Sequence, residues 1–322
     1  MNPADFLAQS GLIIVAGKGG VGKTAVTSAL AIAASGAGLR TLVVEVEGKD
    51  AIGSMFGHDG LTYDELTLVH AAEDHAGVTA RTITPDDALL DYLSGRGLQR
   101  ISKRLVSSGI LDIVSTAVPG IRDILVLGKV KQLERSGEWD LILLDAPAAG
   151  HAITFLRSAR GLADAVRSGP INAQAEEVLG LLNDPARCRV VLVTIPEETP
   201  VNELIETAYS LEEDVGVALG PVVVNGVFPE LAGLDEDPLD AAEEAGIALL
   251  ADEGDLLRES SAFRRSREAI QAGQLVRMAE DLPLQQLRLP YLFTSELTRN
   301  DMDHLAEVLV STIEQLPEDG GA

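Results

Sequence analysis

The chain has 322 residues, with one cysteine, 3% aromatic residues and 50 acidic against 25 basic side chains, a formal net charge of −25. This length can bury roughly 75% of its unfolded surface, and so negative a surface repels phosphate backbones, which excludes a nucleic-acid partner in the absence of a local basic patch. A lone Cys188 makes neither an internal disulfide nor a cysteine metal site, no basic leader precedes the first apolar run, and no apolar run approaches the roughly 18 residues of a bilayer span; a cytoplasmic protein without stable membrane insertion is expected.

The run Leu12-Ile13-Ile14-Val15-Ala16 reads as a buried strand, and the segment from Ala25 onward as a helix with the stripe Val26, Ala29, Leu30 and Ala33. Between them lies Gly17-Lys18-Gly19-Gly20-Val21-Gly22-Lys23-Thr24. A glycine-rich turn between a strand and a helix is the context a phosphate-binding loop requires. The glycines let successive N–H groups point at phosphate oxygens, and the helix adds the positive end of its dipole. Lys23 is then placed to reach the β- and γ-phosphates, and the Thr24 hydroxyl to hold Mg²⁺. Lys18 adds a second positive charge where the turn needs only a small residue. Residues Gly17 through Ala25 are therefore the expected nucleotide-binding loop.

Further along, Thr41-Leu42-Val43-Val44-Glu45-Val46 reads as a second strand of a parallel sheet. Strand, helix and strand in succession predict an α/β fold, a doubly wound and mostly parallel sheet. Residues 60 to 84 carry less pattern, with a strand suggested at Val78 to Ile83. Thr84-Pro85 then opens a helix, and the chain reads as mostly helical to Ser136, including a helix from Pro119-Gly120 through Leu133. Arg100, Lys103 and Arg104 recur here at helical spacing and read as a solvated face. Trp139 to Asp145 is a buried strand ending in a carboxylate, the place from which an Asp holds Mg²⁺ directly or through water.

Residues 153 to 184 show two helical patterns separated by Ser168-Gly169-Pro170. Another buried strand, Arg189 to Ile195, is followed by a helix through Glu213. Pro221 to Asn225 is the next sheet strand, and an Asn at its end can read adenine, because its amide donates and accepts at once. Residues 231 to 280 are strongly acidic helices that read as a solvated face, Arg264, Arg265 and Arg267 included. A last helix is expected at Asn300 to Glu314, before an acidic, frayed tail.

From Gly11 to about Leu309 these stretches resemble the ArsA and tail-anchored-protein-targeting family of deviant P-loop ATPases, in its bacterial single-domain branch. Two loops carry the resemblance: Lys18-Gly19-Gly20-Val21-Gly22-Lys23-Thr24, and Asp145-Ala146-Pro147-Ala148-Ala149-Gly150-His151, which looks like the family's second switch. The resemblance implies one ATPase domain over residues 1–322, with a helical subdomain of approximately 85–136 plus 153–184 inserted between core strands. ATP and Mg²⁺ are the cofactors it implies, with Mg²⁺ on Thr24 and Asp145. Zinc is not expected, because the Cys-x-x-Cys that pins the eukaryotic dimers has no counterpart here.

It also implies a dimer, either a homodimer or a heterodimer with a paralogue, in which Lys18 crosses to the partner's nucleotide and acts in catalysis. Glu47 stands where the family places the Asp that orients the attacking water, and Gly48 where it places a Pro. Gly150 would offer its N–H to the γ-phosphate, while Asn225 and Pro290 match the adenine-recognition segments. Leu289 to Phe293 match the family's final strand. Such proteins couple nucleotide state to a protein or membrane-protein client. A weakly hydrolysing subunit paired with a paralogous ATPase is the alternative, and a positioning ATPase of the MinD or ParA kind a more distant one. Arsenite-pump coupling and iron–sulfur chemistry are disfavoured by the single cysteine.

Overall fold

A computed structural model describes residues 1–46, 51–94, 120–147, 149–250 and 252–317. A short helix α1 (Pro3–Leu7) precedes β1 (Leu12–Gly17), α2 (Lys23–Gly36), β2 (Thr41–Val46) and α3 (Ala51–Met55). Then follow β3 (Leu66–Val69), β4 (Val78–Ile83), α4 (Pro85–Ser94), α5 (Ile121–Ser136) and β5 (Leu141–Asp145). The second half carries α6 (Ala149–Ala165), α7 (Pro170–Leu182), β6 (Cys188–Thr194), α8 (Glu198–Ser210) and β7 (Val222–Val227). After β7 come α9 (Pro238–Glu244), the long α10 (Glu253–Asp281), β8 (Gln286–Pro290) and α11 (Arg299–Glu314).

The strands form one eight-stranded sheet in the order β3-β4-β2-β5-β1-β6-β7-β8. Every pairing is parallel except that of β3 with β4. Mostly apolar runs make this possible: β1, β2 and β5 are buried along their whole length, as a parallel sheet covered on both faces demands. Side chains alternate between two cores. Leu12 and Ile14 join α5, α6, α7 and α8 on one face, whereas Ile13 and Val15 join α2 and α11 on the other.

β1 lies between β5 and β6, with Val15 in register with both Asp145 and Val191. The loops that leave the carboxyl ends of β1 and β5 therefore start side by side. That sheet edge is where doubly wound folds bind their ligands.

The structure departs from the sequence expectations at element ends. β3, a four-residue antiparallel edge strand within 60 to 84, has no clear sequence signal. The last strand is Gln286–Pro290, so Tyr291 to Phe293 lie beyond it. α6 begins at Ala149, inside the second motif. Residues 95–119 and 47–50 lie outside the described residues, and with them Arg100, Lys103, Arg104, Glu47 and Gly48. On α10, Arg264, Arg265 and Arg267 pair with Glu268, Asp235 and Glu197, so these cations are neutralised locally.

Candidate nucleotide site

The loop after β1 is shaped by its glycines. A Cβ on Gly17 would collide with the Val193 carbonyl oxygen of neighbouring β6, and one on Gly22 with the Asn225 side-chain amide. Gly20 and Gly22 also sit at φ 86° and 89°, a left-handed conformation that costs other residues roughly 1–2 kcal/mol. Gly19 completes the turn. Val21 and Ala25 are buried, 1% and 4% exposed, and anchor the loop to the core beneath α2.

α2 begins at Lys23, with Gly22 as its N-cap and its first bond from the Val26 N–H to the Gly22 carbonyl at 3.0 Å. The N–H groups of a first helical turn have no acceptor within the helix, which makes this end an anion site. Lys23 is only 7% exposed and folds back over the loop, its Nζ donating to the Lys18 carbonyl at 2.9 Å. Thr24 Oγ1 donates to Asp145 Oδ2 at 2.8 Å, and Asp145 is fully buried. Two expected metal-site residues from elements 121 positions apart thus meet directly.

The Lys18 side chain is engaged elsewhere. Its Nζ lies 2.6 Å from Glu203 Oε1 on α8, with the two side chains 34% and 39% exposed. Gly150 falls in the first turn of α6, five residues after β5 ends. Glu47 lies outside the described residues.

Asn225 reaches the loop from β7. The register between β7 and β8 shifts between Val224 and Val227, and Gly226 adopts φ 69°. This bulge brings the Asn225 side chain to the loop, where Nδ2 donates to the Val21 carbonyl at 3.0 Å. Pro290 ends β8 in register with Val227, and the Tyr291 N–H donates to the Val227 carbonyl at 2.8 Å. Asn225 and Pro290 thereby share one corner beside the loop.

Three features at this edge are absent from the sequence expectations. Glu45, fully buried on β2, is in register with Asp145. Glu203 carries no motif and lies 185 residues from Lys18. Gln271 is 6% exposed on an otherwise largely solvated helix. Only Glu45 has a sequence signal, a charge inside an apolar strand.

Comparison with known proteins points to one family. A family model described as anion-transporting ATPase matches residues 10–169. Over 306 residues the chain is 31% identical to the ATPase BagA of Mycobacterium tuberculosis, spanning 87% of this chain and 86% of that protein. It is 26% identical to the arsenical pump-driving ATPase of Escherichia coli over 85% of this chain and 45% of that protein. The corresponding figures for the arsenical pump-driving ATPase of Acidiphilium multivorum are 28%, 70% and 41%. The matched region thus spans less than half of either pump-driving ATPase.

Proposed function

The chain belongs to the ArsA family of anion-transporting ATPases, and from that premise we propose that it binds Mg²⁺-ATP on residues 17–25 and hydrolyses it as a dimeric, nucleotide-gated switch. The observation that carries this reading is the contact between Thr24 and Asp145. Mg²⁺ takes oxygen ligands, dehydrates reluctantly and is commonly held by one or two protein groups plus substrate phosphates. A hydroxyl and a carboxylate 2.8 Å apart at a helix N-terminus match that donor set. Among the described residues no group of three or more His, Cys, Asp or Glu side chains could hold a metal ion by itself. The donors therefore suit a metal that arrives with its nucleotide.

In this reading Lys23 exchanges the Lys18 carbonyl for β- and γ-phosphate oxygens. Thr24 and Asp145 would hold Mg²⁺, which would supply charge neutralisation for the phosphates. The N–H of Gly150 meets the γ-phosphate, and Glu47 orients the attacking water. One N–H of the Asn225 amide is engaged by Val21, leaving its second N–H and its Oδ1 to pair with N7 and N6 of adenine. Guanine presents an acceptor in place of the N6 donor, so the same amide discriminates against it. Pro290 flanks the base. Lys18, released from Glu203, reaches the partner's nucleotide and stabilises charge on the departing γ-phosphate, as an arginine finger does.

The dimer is formed with a second copy or a paralogue, and its closure on ATP is coupled to a protein client. No helix among the described residues is long and apolar enough to cross a membrane, which is compatible with action in the cytoplasm. Glu47 favours a second reading, a slowly hydrolysing subunit. Glu is one methylene longer than the Asp usual in the family, and a displacement of about 1 Å can cost on the order of 10²-fold in rate.

A titration with a fluorescent ATP analogue, with and without Mg²⁺, tests the site. Binding tightened by Mg²⁺ in the parent, and no longer tightened in Asp145→Asn, is the expected result. Mg²⁺-independent binding in both would remove the proposed metal site.

A further inference from the structure

Gln271 is one of four buried residues on the 29-residue helix α10, with Gly254, Leu275 and Met278. Its Nε2 donates to the Gly226 carbonyl at 3.1 Å, and its Oε1 accepts from the Phe228 N–H at 2.8 Å. One side-chain amide thus satisfies a backbone acceptor and a backbone donor two residues apart. Those groups need it, because the bulge between Val224 and Val227 interrupts the ladder with β8. Gly226 and Phe228 are both partly buried, and a backbone group left without a partner there loses a hydrogen bond.

The clamped segment begins immediately after Asn225. Gly226, at φ 69°, follows Asn225 within β7, and the Asn225 amide touches the loop both through the Val21 carbonyl and by filling the space beside Gly22. α10 is therefore linked to the phosphate-binding loop through the hydrogen bonds of Gln271 to the Gly226–Phe228 backbone, the covalent Asn225–Gly226 link and the hydrogen bond of Asn225 to Val21. Resting on the nucleotide reading above, we infer that Gln271 is a positioning residue for base recognition: it holds the Asn225 amide at the height and angle needed to read adenine, without touching the nucleotide itself.

A merely structural Gln271 would weaken every ligand of the loop alike. A positioning role instead predicts a loss confined to the base. Calorimetric titration of the full chain with Mg²⁺-ATP, Mg²⁺-GTP and Mg²⁺-tripolyphosphate separates the two. Gln271→Ala and the length-conserving Gln271→Met should each bind ATP about tenfold more weakly, the effect of one lost hydrogen bond, with tripolyphosphate affinity unchanged within about twofold. In an Asn225→Ala background, Gln271→Ala should cause no further loss, since the two residues act as one unit.

Unchanged ATP affinity in both Gln271 variants overturns the inference. So does an equal loss of ATP and tripolyphosphate, or a loss that adds to that of Asn225→Ala. A parent protein that binds tripolyphosphate yet does not distinguish ATP from GTP overturns the adenine role of Asn225 and this inference together. One that binds none of the three ligands overturns the nucleotide reading at its root.

Discussion

Lys18 on the phosphate-binding loop and Glu203 on α8 form an ion pair of 2.6 Å within a single chain. Both side chains are about one-third exposed, so the pair is worth no more than roughly 1 kcal/mol. That is weak enough for a subunit interface or a nucleotide to break, yet sufficient to hold Lys18 away from its proposed target. Glu203→Gln should release the lysine and raise ATP turnover up to about fivefold, the equivalent of 1 kcal/mol. Steady-state phosphate release under subsaturating protein measures it, and a fall in turnover would show that Glu203 supports the active arrangement.

Lys18→Ala addresses the lysine itself. If Lys18 acts on the γ-phosphate of a neighbouring subunit, the variant retains ATP affinity and loses turnover on the order of 10³-fold, the scale of an arginine finger. Binding and single-turnover hydrolysis measured on the same preparation separate the two effects. An unchanged hydrolysis rate would remove Lys18 from the mechanism.

Gly22→Ala probes the loop without touching a charge. The new methyl group meets the Asn225 amide and sits at φ 89°, so ATP affinity should fall at least tenfold. Gly38→Ala is the matched control, since Gly38 has a similar φ of 84° but open space around it. It should cost only about 1 kcal/mol of stability from backbone strain and leave ATP affinity intact. Equal effects of the two on ATP affinity would mean that the Asn225 contact is irrelevant.

Cys188 is fully buried at the start of β6, and burial, then the nearby Glu134 charge, push its thiol well above the ordinary value of 9.0. A raised value means that the folded chain keeps the proton while the unfolded chain releases it. The contribution of Cys188 to stability is thus complete below pH 9 and is lost as pH rises through the folded value. Native protein should resist thiol reagents at pH 8 and become reactive in denaturant. Rapid labelling of the native protein would contradict the burial of this strand.

The regular core was legible because burial on both faces of a parallel sheet leaves a signature in the sequence: β1, β2, β5, β6 and β7 are mostly apolar runs with few polar interruptions. The loop after β1 was legible because its glycines and lysines are local to one turn. β3 was not, since a four-residue edge strand has half its pattern on an exposed face. Glu203 and Gln271 were illegible for a different reason. Each reaches its partner only after the sheet has assembled, across 185 residues for Lys18 and 45 for Gly226. On α10 the single stripe of Gln271, Leu275 and Met278 is masked by a surrounding run of charge that reads as a solvated face.

Mg²⁺-dependent ATP turnover of the purified chain, followed as its own concentration is varied, tests the proposed dimeric ATPase most directly. Specific activity should rise with protein concentration and then level off, as two loops, each with its own Lys18, come together. Turnover that is present and independent of concentration down to the nanomolar range, and unaffected by Lys18→Ala, would contradict an active site shared between subunits.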